Sequence, residues 1–177
     1  PDRTLRFVFF ANEEAPYHHT DTMGSLRHAR QSKADGESIV AMMSLEMLGY
    51  YTTEPGSQAY PPLLGWFYPD RGHFIGFVGN FSSRGIVKRA IGAFRDSVDF
   101  PSYGFAGPES VPGVGLSDHS SFWEVGYPAL MVTDTAYNRN PHYHQPSDMP
   151  DTLDYGRFAR VVDGLIGVVR RFSHHDR

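Results

Sequence analysis

Short apolar runs that halt at acidic or polar residues recur along this chain, and they restrict it to folds in which buried strands end where a site begins. Residues 5–11 read Leu-Arg-Phe-Val-Phe-Phe-Ala, and Glu13 and Glu14 follow almost at once. The unbroken apolar character predicts a strand buried on both faces of a parallel or mixed sheet. Residues 39–51 carry a second such run and read as a central strand, with Glu46 as its one conspicuous charge. Residues 74–78 and 127–133 predict two more strands, and 99–116, rich in Pro and Gly, reads as irregular with room for one strand. Between them lie helical patterns: 21–34 with a capping-type start, a helix after Ser82 as N-cap, and a short helix to Trp123 capped by Ser117 or Asp118. The clearest helix closes the chain. There Tyr155, Phe158, Val162, Leu165, Val169 and Phe172 alternate steps of three and four behind Asp154 as cap, and His174-His175-Asp176-Arg177 reads as a frayed tail. This order predicts an α/β fold with helices covering a mixed, mostly parallel sheet.

Composition narrows the chemistry. A chain of 177 residues suits one domain with a real core. Its net charge of -4 comes from interspersed acidic and basic residues, so no basic stripe invites nucleic acid. No apolar run approaches the length that crosses a bilayer, and the opening Pro1-Asp2-Arg3 lacks the pattern of a signal peptide, which leaves the compartment open. Cysteine is absent, so any metal has to use His and carboxylates. Because the sequence reaches a core-like strand within a few residues of Pro1, it is expected to be an excised or truncated piece, a single domain over 1–177.

The candidate chemistry sits where strands end. Glu13 and Glu14 repel one another unless something positive compensates, and a metal is the commonest such charge. It makes one carboxylate a ligand and leaves its neighbour free to take a proton. Glu46 lies within an apolar run and has to be paired, metal-bound or at an open strand end, because desolvating it alone is costly. His144 belongs to a His-x-His pair with His142 in the loop over 134–151, and zinc accepts this mixture of nitrogen and carboxylate oxygen. Asp118 and His119 are adjacent at a helix start and point apart, so they do not make two thirds of a hydrolase triad. Neither a Gly-x-Ser-x-Gly elbow nor a phosphate-binding glycine loop is present. The long loop over 52–71 has a length that in compact domains goes with function or mobility, and it would carry specificity if it roofs the site.

Four segments then carry a family resemblance: Phe7-Val8-Phe9-Phe10-Ala11-Asn12-Glu13-Glu14, Ser44-Leu45-Glu46-Met47-Leu48-Gly49-Tyr50-Tyr51, Ser117-Asp118-His119-Ser120-Ser121-Phe122 and Tyr143-His144-Gln145-Pro146-Ser147-Asp148. In order and spacing they resemble the C-terminal part of zinc-dependent aminopeptidases, the co-catalytic exopeptidases that share a fold with glutaminyl cyclases. The resemblance implies a three-layer α/β/α architecture and hydrolysis of N-terminal peptide bonds in peptide or aminoacyl substrates. It assigns Glu13 as general base, Glu14 and His144 as ligands of one zinc, and Glu46 as the carboxylate on a second zinc. Asp118 would orient substrate or a neighbouring group, and Tyr143 would line the pocket for the first side chain.

What the resemblance leaves out also has consequences. A His-x-Asp motif and a bridging Asp lie upstream of the first strand in family members and outside this sequence. Weak zinc binding is therefore expected, with neighbouring carboxylates raising one another's pKa. Uncovered strand edges or apolar faces would favour association between copies. A glutaminyl cyclase-like acyltransferase and a non-catalytic interaction domain stay open beside the aminopeptidase reading.

Overall fold

The computed structural model describes residues 2–174; His175, Asp176 and Arg177 of the expected tail lie outside them. Strands β1 (Met42–Glu46), β2 (Ile75–Asn80), β3 (Ser102–Gly107) and β4 (Ala129–Thr133) form a sheet in the order β1-β4-β2-β3. β1 runs parallel to β4 and β2 parallel to β3, whereas β2 and β4 pair antiparallel, so the sheet is mixed and mostly parallel, as expected. Helices α1 (Gly24–Ala34) and α3 (His119–Glu124) cover one face, and α2 (Arg84–Ser97) and α4 (Tyr155–Ser173) cover the other.

Strand periodicity divides the core between these layers. Ile75 and Phe77 of β2 and Leu130 and Val132 of β4 point into the cluster built by α2 and α4, where Phe94, Val161, Val168 and Phe172 meet them. Their neighbours Val78 and Ala129 face the smaller cluster around Phe122 and Trp123 of α3. Period-two alternation thus buries both faces of the two middle strands.

Several sequence expectations need correction. Residues 5–11 form no strand: among the described residues they have no partner strand, and Phe7 and Phe9 are 78% and 98% exposed. The segment is tethered by Phe10, whose ring lies 5.5 Å from that of His28, and by the Gly24 amide donating to the Ala11 carbonyl. Apolar character makes a strand only where a hydrogen-bonding partner exists. The run over 39–51 supplies β1 at a sheet edge and not in its centre; Leu45 is 59% exposed. The helix caps also differ. Met23, Ser83 and Asp118 precede α1, α2 and α3 without capping through their side chains, and Asn80 Oδ1 accepts from the Ser83 amide instead.

Asp154 does cap α4, its Oδ1 accepting from the Arg157 amide at 2.9 Å. The buried face of that helix, however, is Val161, Leu165, Val168 and Phe172, with Val162 turned outward at 42% exposure. The reason is glycine. Gly164 and Gly167 lie on the contact with α2, where a Cβ would overlap Phe94 and Ser97 respectively. They set the packing distance while adding nothing to hydrophobic periodicity. Replacing Gly164 with Ala raises helix propensity by up to about 1 kcal/mol. Overlap with the fully buried Phe94 ring outweighs that gain, so Gly164→Ala is expected to lower the unfolding free energy by about 1–3 kcal/mol in urea titrations; an unchanged or raised midpoint at equal slope contradicts this packing.

Candidate active site

β1 and β4 run in the same direction and end side by side, Glu46 opposite Thr133. Beyond those ends the chain turns sharply, and buried Asp134 ties the two exits together. Its Oδ2 accepts from the Tyr50 amide at 2.8 Å, its Oδ1 accepts from the Ala136 amide at 3.0 Å, and its own amide donates to the Met47 carbonyl. Burial pushes its carboxyl up to about 6 against these stabilising bonds. A crevice beyond strand carboxyl ends is where α/β sheets bind ligands.

Glu46 closes β1 and is half-buried. The Ser117 hydroxyl donates to its Oε2 at 3.0 Å, and Ser44 Oγ lies 2.7 Å from Ser117 Oγ. Each hydroxyl has one proton, so with Ser117 committed to Glu46, Ser44 is the donor to Ser117. Burial raises the Glu46 pKa, the Ser117 bond opposes that rise, and Glu14, Asp118 and Asp134 add to it.

Glu13 reaches the same region from the other side. Burial foremost, then the fields of Glu46, Asp118 and Glu14, push its carboxyl up to about 7. His18 folds back on it, its Nδ1 donating to the Glu13 carbonyl at 3.0 Å and standing 3.6 Å from Oε1. Burial likewise raises Asp118, opposed by a hydrogen bond from Ser25. Its Oδ1 is buried without a partner among the described residues. Mutual elevation of these carboxylates agrees with the sequence expectation, although desolvation is the larger cause.

Glu14 and His144 converge. His144 Nε2 lies 3.3 Å from Glu14 Oε1, and the Tyr143 ring stacks on the imidazole at 3.9 Å and 16°. His144 adopts φ 56°, a left-handed conformation costly for a non-glycine residue and typical of functional loops. His142 turns away to Ser147. The donor types of this His–carboxylate pair are among those zinc accepts. Glu46 stands apart from them. Among the described residues, no three or more His, Asp or Glu side chains gather closely enough to hold a metal by themselves.

An apolar pocket opens beside the acidic cluster, with Glu46 and Tyr143 at its lining together with Tyr60, Phe74, Tyr103 and Met131. The loop over 52–71 forms one wall, as its length suggested, through Gln58, Tyr60, Leu64 and Tyr68. Composition did not single out Ser44, Ser117 or His18 as site residues. A serine within the apolar Met-Met-Ser-Leu-Glu run of β1 was the available signal. His119 takes no part: it is fully buried, its Nε2 donates to the Val114 carbonyl at 2.7 Å, and it does not pair with Asp118.

Sheet, layers and acidic crevice together define an α/β protein with the architecture of the zinc exopeptidases. The chain belongs to peptidase family M28, whose family model matches residues 1–169. It is 42% identical over 167 residues to the uncharacterized protein YfbL of Escherichia coli K12, covering 94% of this chain and 51% of that protein. Over 168 residues it is 24% identical to a probable leucine aminopeptidase of Arthroderma otae, covering 93% of this chain and 38% of the relative. The chain thus spans about half or less of the length of these relatives. Among solved structures, LapB from Legionella pneumophila superposes with a TM-score of 0.65 at 15% identity, over 93% of this chain and 38% of that one. The zinc aminopeptidase of Bacillus subtilis gives 0.54 at 16%, over 84% and 32%. These two likenesses establish the shared fold. Among the described residues no helix is long and apolar enough to cross a membrane.

Burial lowers the His119 pKa from 6.5 to about 4. A histidine depressed in the fold stays neutral while the unfolded chain takes up a proton. Its contribution is therefore complete above pH 6.5 and is lost as pH falls from 6.5 towards 4, to a limit of about 3 kcal/mol. Glu13, raised to about 7, works in the opposite sense, so a difference measurement is needed. Stability of the wild type relative to His119→Gln is expected to fall between pH 7 and pH 4.5 in urea unfolding; a pH-independent difference contradicts the assignment.

Proposed function

We propose that the polypeptide to which this chain belongs hydrolyses N-terminal peptide bonds, with peptides or aminoacyl compounds as substrates. The observation that carries this reading is Glu13, a half-buried carboxylate pushed up to about 7 by burial and by the field of Glu46, which itself lines the apolar pocket. A carboxyl poised near neutral pH accepts a proton from an attacking water and returns it to a leaving amine. Its immediate neighbour Glu14 is paired with His144 and is therefore the less free of the two. The fields of Glu14, Glu46 and Asp118 favour the protonated form of Glu13, which is the form that donates to the amine.

The remaining roles follow from position. Glu14 and His144 would hold one zinc and Glu46 would serve the other, with further donors completing both. Bound zinc supplies Lewis acidity towards the scissile carbonyl. Ser117 holds Glu46 in one orientation, and the Tyr143 ring fixes the plane of the His144 imidazole. Asp118, with one buried oxygen unpartnered, orients a hydrogen-bond donor beside Glu13. The pocket receives the first side chain of the substrate and excludes water from the scissile bond.

Glu13→Gln preserves shape and removes the proton acceptor. With zinc added, hydrolysis of an aminoacyl chromogenic amide is expected to fall by about 10²–10⁴-fold while zinc bound per chain is unchanged. Hydrolysis that continues at the wild-type rate in Glu13→Gln overturns the assignment of the base.

A further inference from the structure

We propose that this pocket selects an aromatic first residue, phenylalanine, tyrosine or tryptophan, over leucine. The preference rests on the aminopeptidase reading for the chemistry that follows, and on the pocket alone for binding.

The lining is built from rings in contact with one another. Tyr60 and Tyr68 stack with centroids 5.8 Å apart, Tyr68 meets Tyr103 edge-on at 6.0 Å, and Tyr103 meets Phe74 edge-on at 5.0 Å. All four belong to the pocket, so one wall is a continuous aromatic ladder. A second pair, Tyr137 and Tyr143 at 5.9 Å, continues the lining towards His144. A guest ring placed among these gains offset and edge-to-face contacts beyond the area it buries, whereas a leucine gains area alone.

The rings are also held in place. The Tyr60 hydroxyl donates to the Pro69 carbonyl at 2.6 Å and the Tyr68 hydroxyl to the Gly104 carbonyl at 2.9 Å. With the phenols anchored, little side-chain freedom is lost when a guest enters. Using those hydroxyls on backbone carbonyls leaves apolar surface facing the cavity. Space for a flat guest comes from Gly76 of β2. A Cβ there would lie against Thr133 and Thr135, which also line the pocket, so the missing side chain is pocket volume.

Calorimetric or NMR titration of the full chain with phenylalaninamide and leucinamide, in the presence of a chelator, reads this preference without catalysis. Phenylalaninamide is expected to bind about three- to tenfold more tightly. Tyr68→Leu and Tyr103→Leu, checked for folding by circular dichroism, are expected to bring the ratio close to one. Should either variant fail to fold, the wild-type ratio decides by itself. Leucinamide binding as tightly as phenylalaninamide, or neither amide binding, overturns the proposal. Hydrolysis of the corresponding chromogenic amides with zinc by the whole polypeptide separates the two readings. Aromatic preference in binding without hydrolysis removes the aminopeptidase reading alone, and hydrolysis with leucine preferred removes the aromatic preference alone.

Discussion

Four carboxylates lie beyond the end of β1, and the burial of three of them, added to by the fields between them, is the constraint around which the rest is arranged. Glu13, Glu46 and Asp118 all have raised pKa values with burial as the first cause, and Glu14 contributes its field to two of them. Groups of like charge stay together at a cost unless hydrogen bonds or a cation offset it. The protein supplies part of the offset: Ser44 and Ser117 in series on Glu46, Ser25 on Asp118, His18 beside Glu13, and His144 on Glu14. What these bonds leave uncompensated favours protonated carboxyls, or a divalent cation when further donors complete its shell.

Topology explains why the crowding occurs there. β1 and β4 deliver Glu46 and Asp134 at adjacent parallel ends, and the antiparallel neighbour β2 begins beside them, so Gly76 opens space just where the acidic groups gather. Asp134 pins both exits through backbone amides, which keeps the loops after β1 and β4 in register. On the opposite face, glycines of α4 let that helix approach α2 closely and bury Phe94. One face of the sheet thus carries the larger core, and the other shares its smaller core with the aromatic-lined cavity.

Much of this was legible in sequence because polar residues interrupting apolar runs are costly unless used. Glu46 inside such a run stood out as a carboxylate in need of a partner or an open strand end, whereas the pairing of Glu14 with His144 came from the family resemblance and not from a local pattern. The same logic misled at residues 5–11: Phe7-Val8-Phe9 has strand character and no partner strand among the described residues. Hydrophobicity alone carries no information about hydrogen-bonding partners. Contacts made by small residues were equally hidden, since Gly164, Gly167, Ser44 and Ser117 look unremarkable in a periodicity plot while fixing the α2–α4 packing and the orientation of Glu46. The relays depend on pairs of residues 71 and 73 positions apart, which no local pattern encodes.

The crowding is tested most directly by following the side-chain carboxyl carbon of Glu13 by NMR as pH is varied, in the chain freed of metal by a chelator. Burial among Glu46, Asp118 and Glu14 predicts a midpoint near about 7. A midpoint close to the ordinary value of 4.5 would mean that Glu13 is solvated and independent of its neighbours, and would contradict the account of the site.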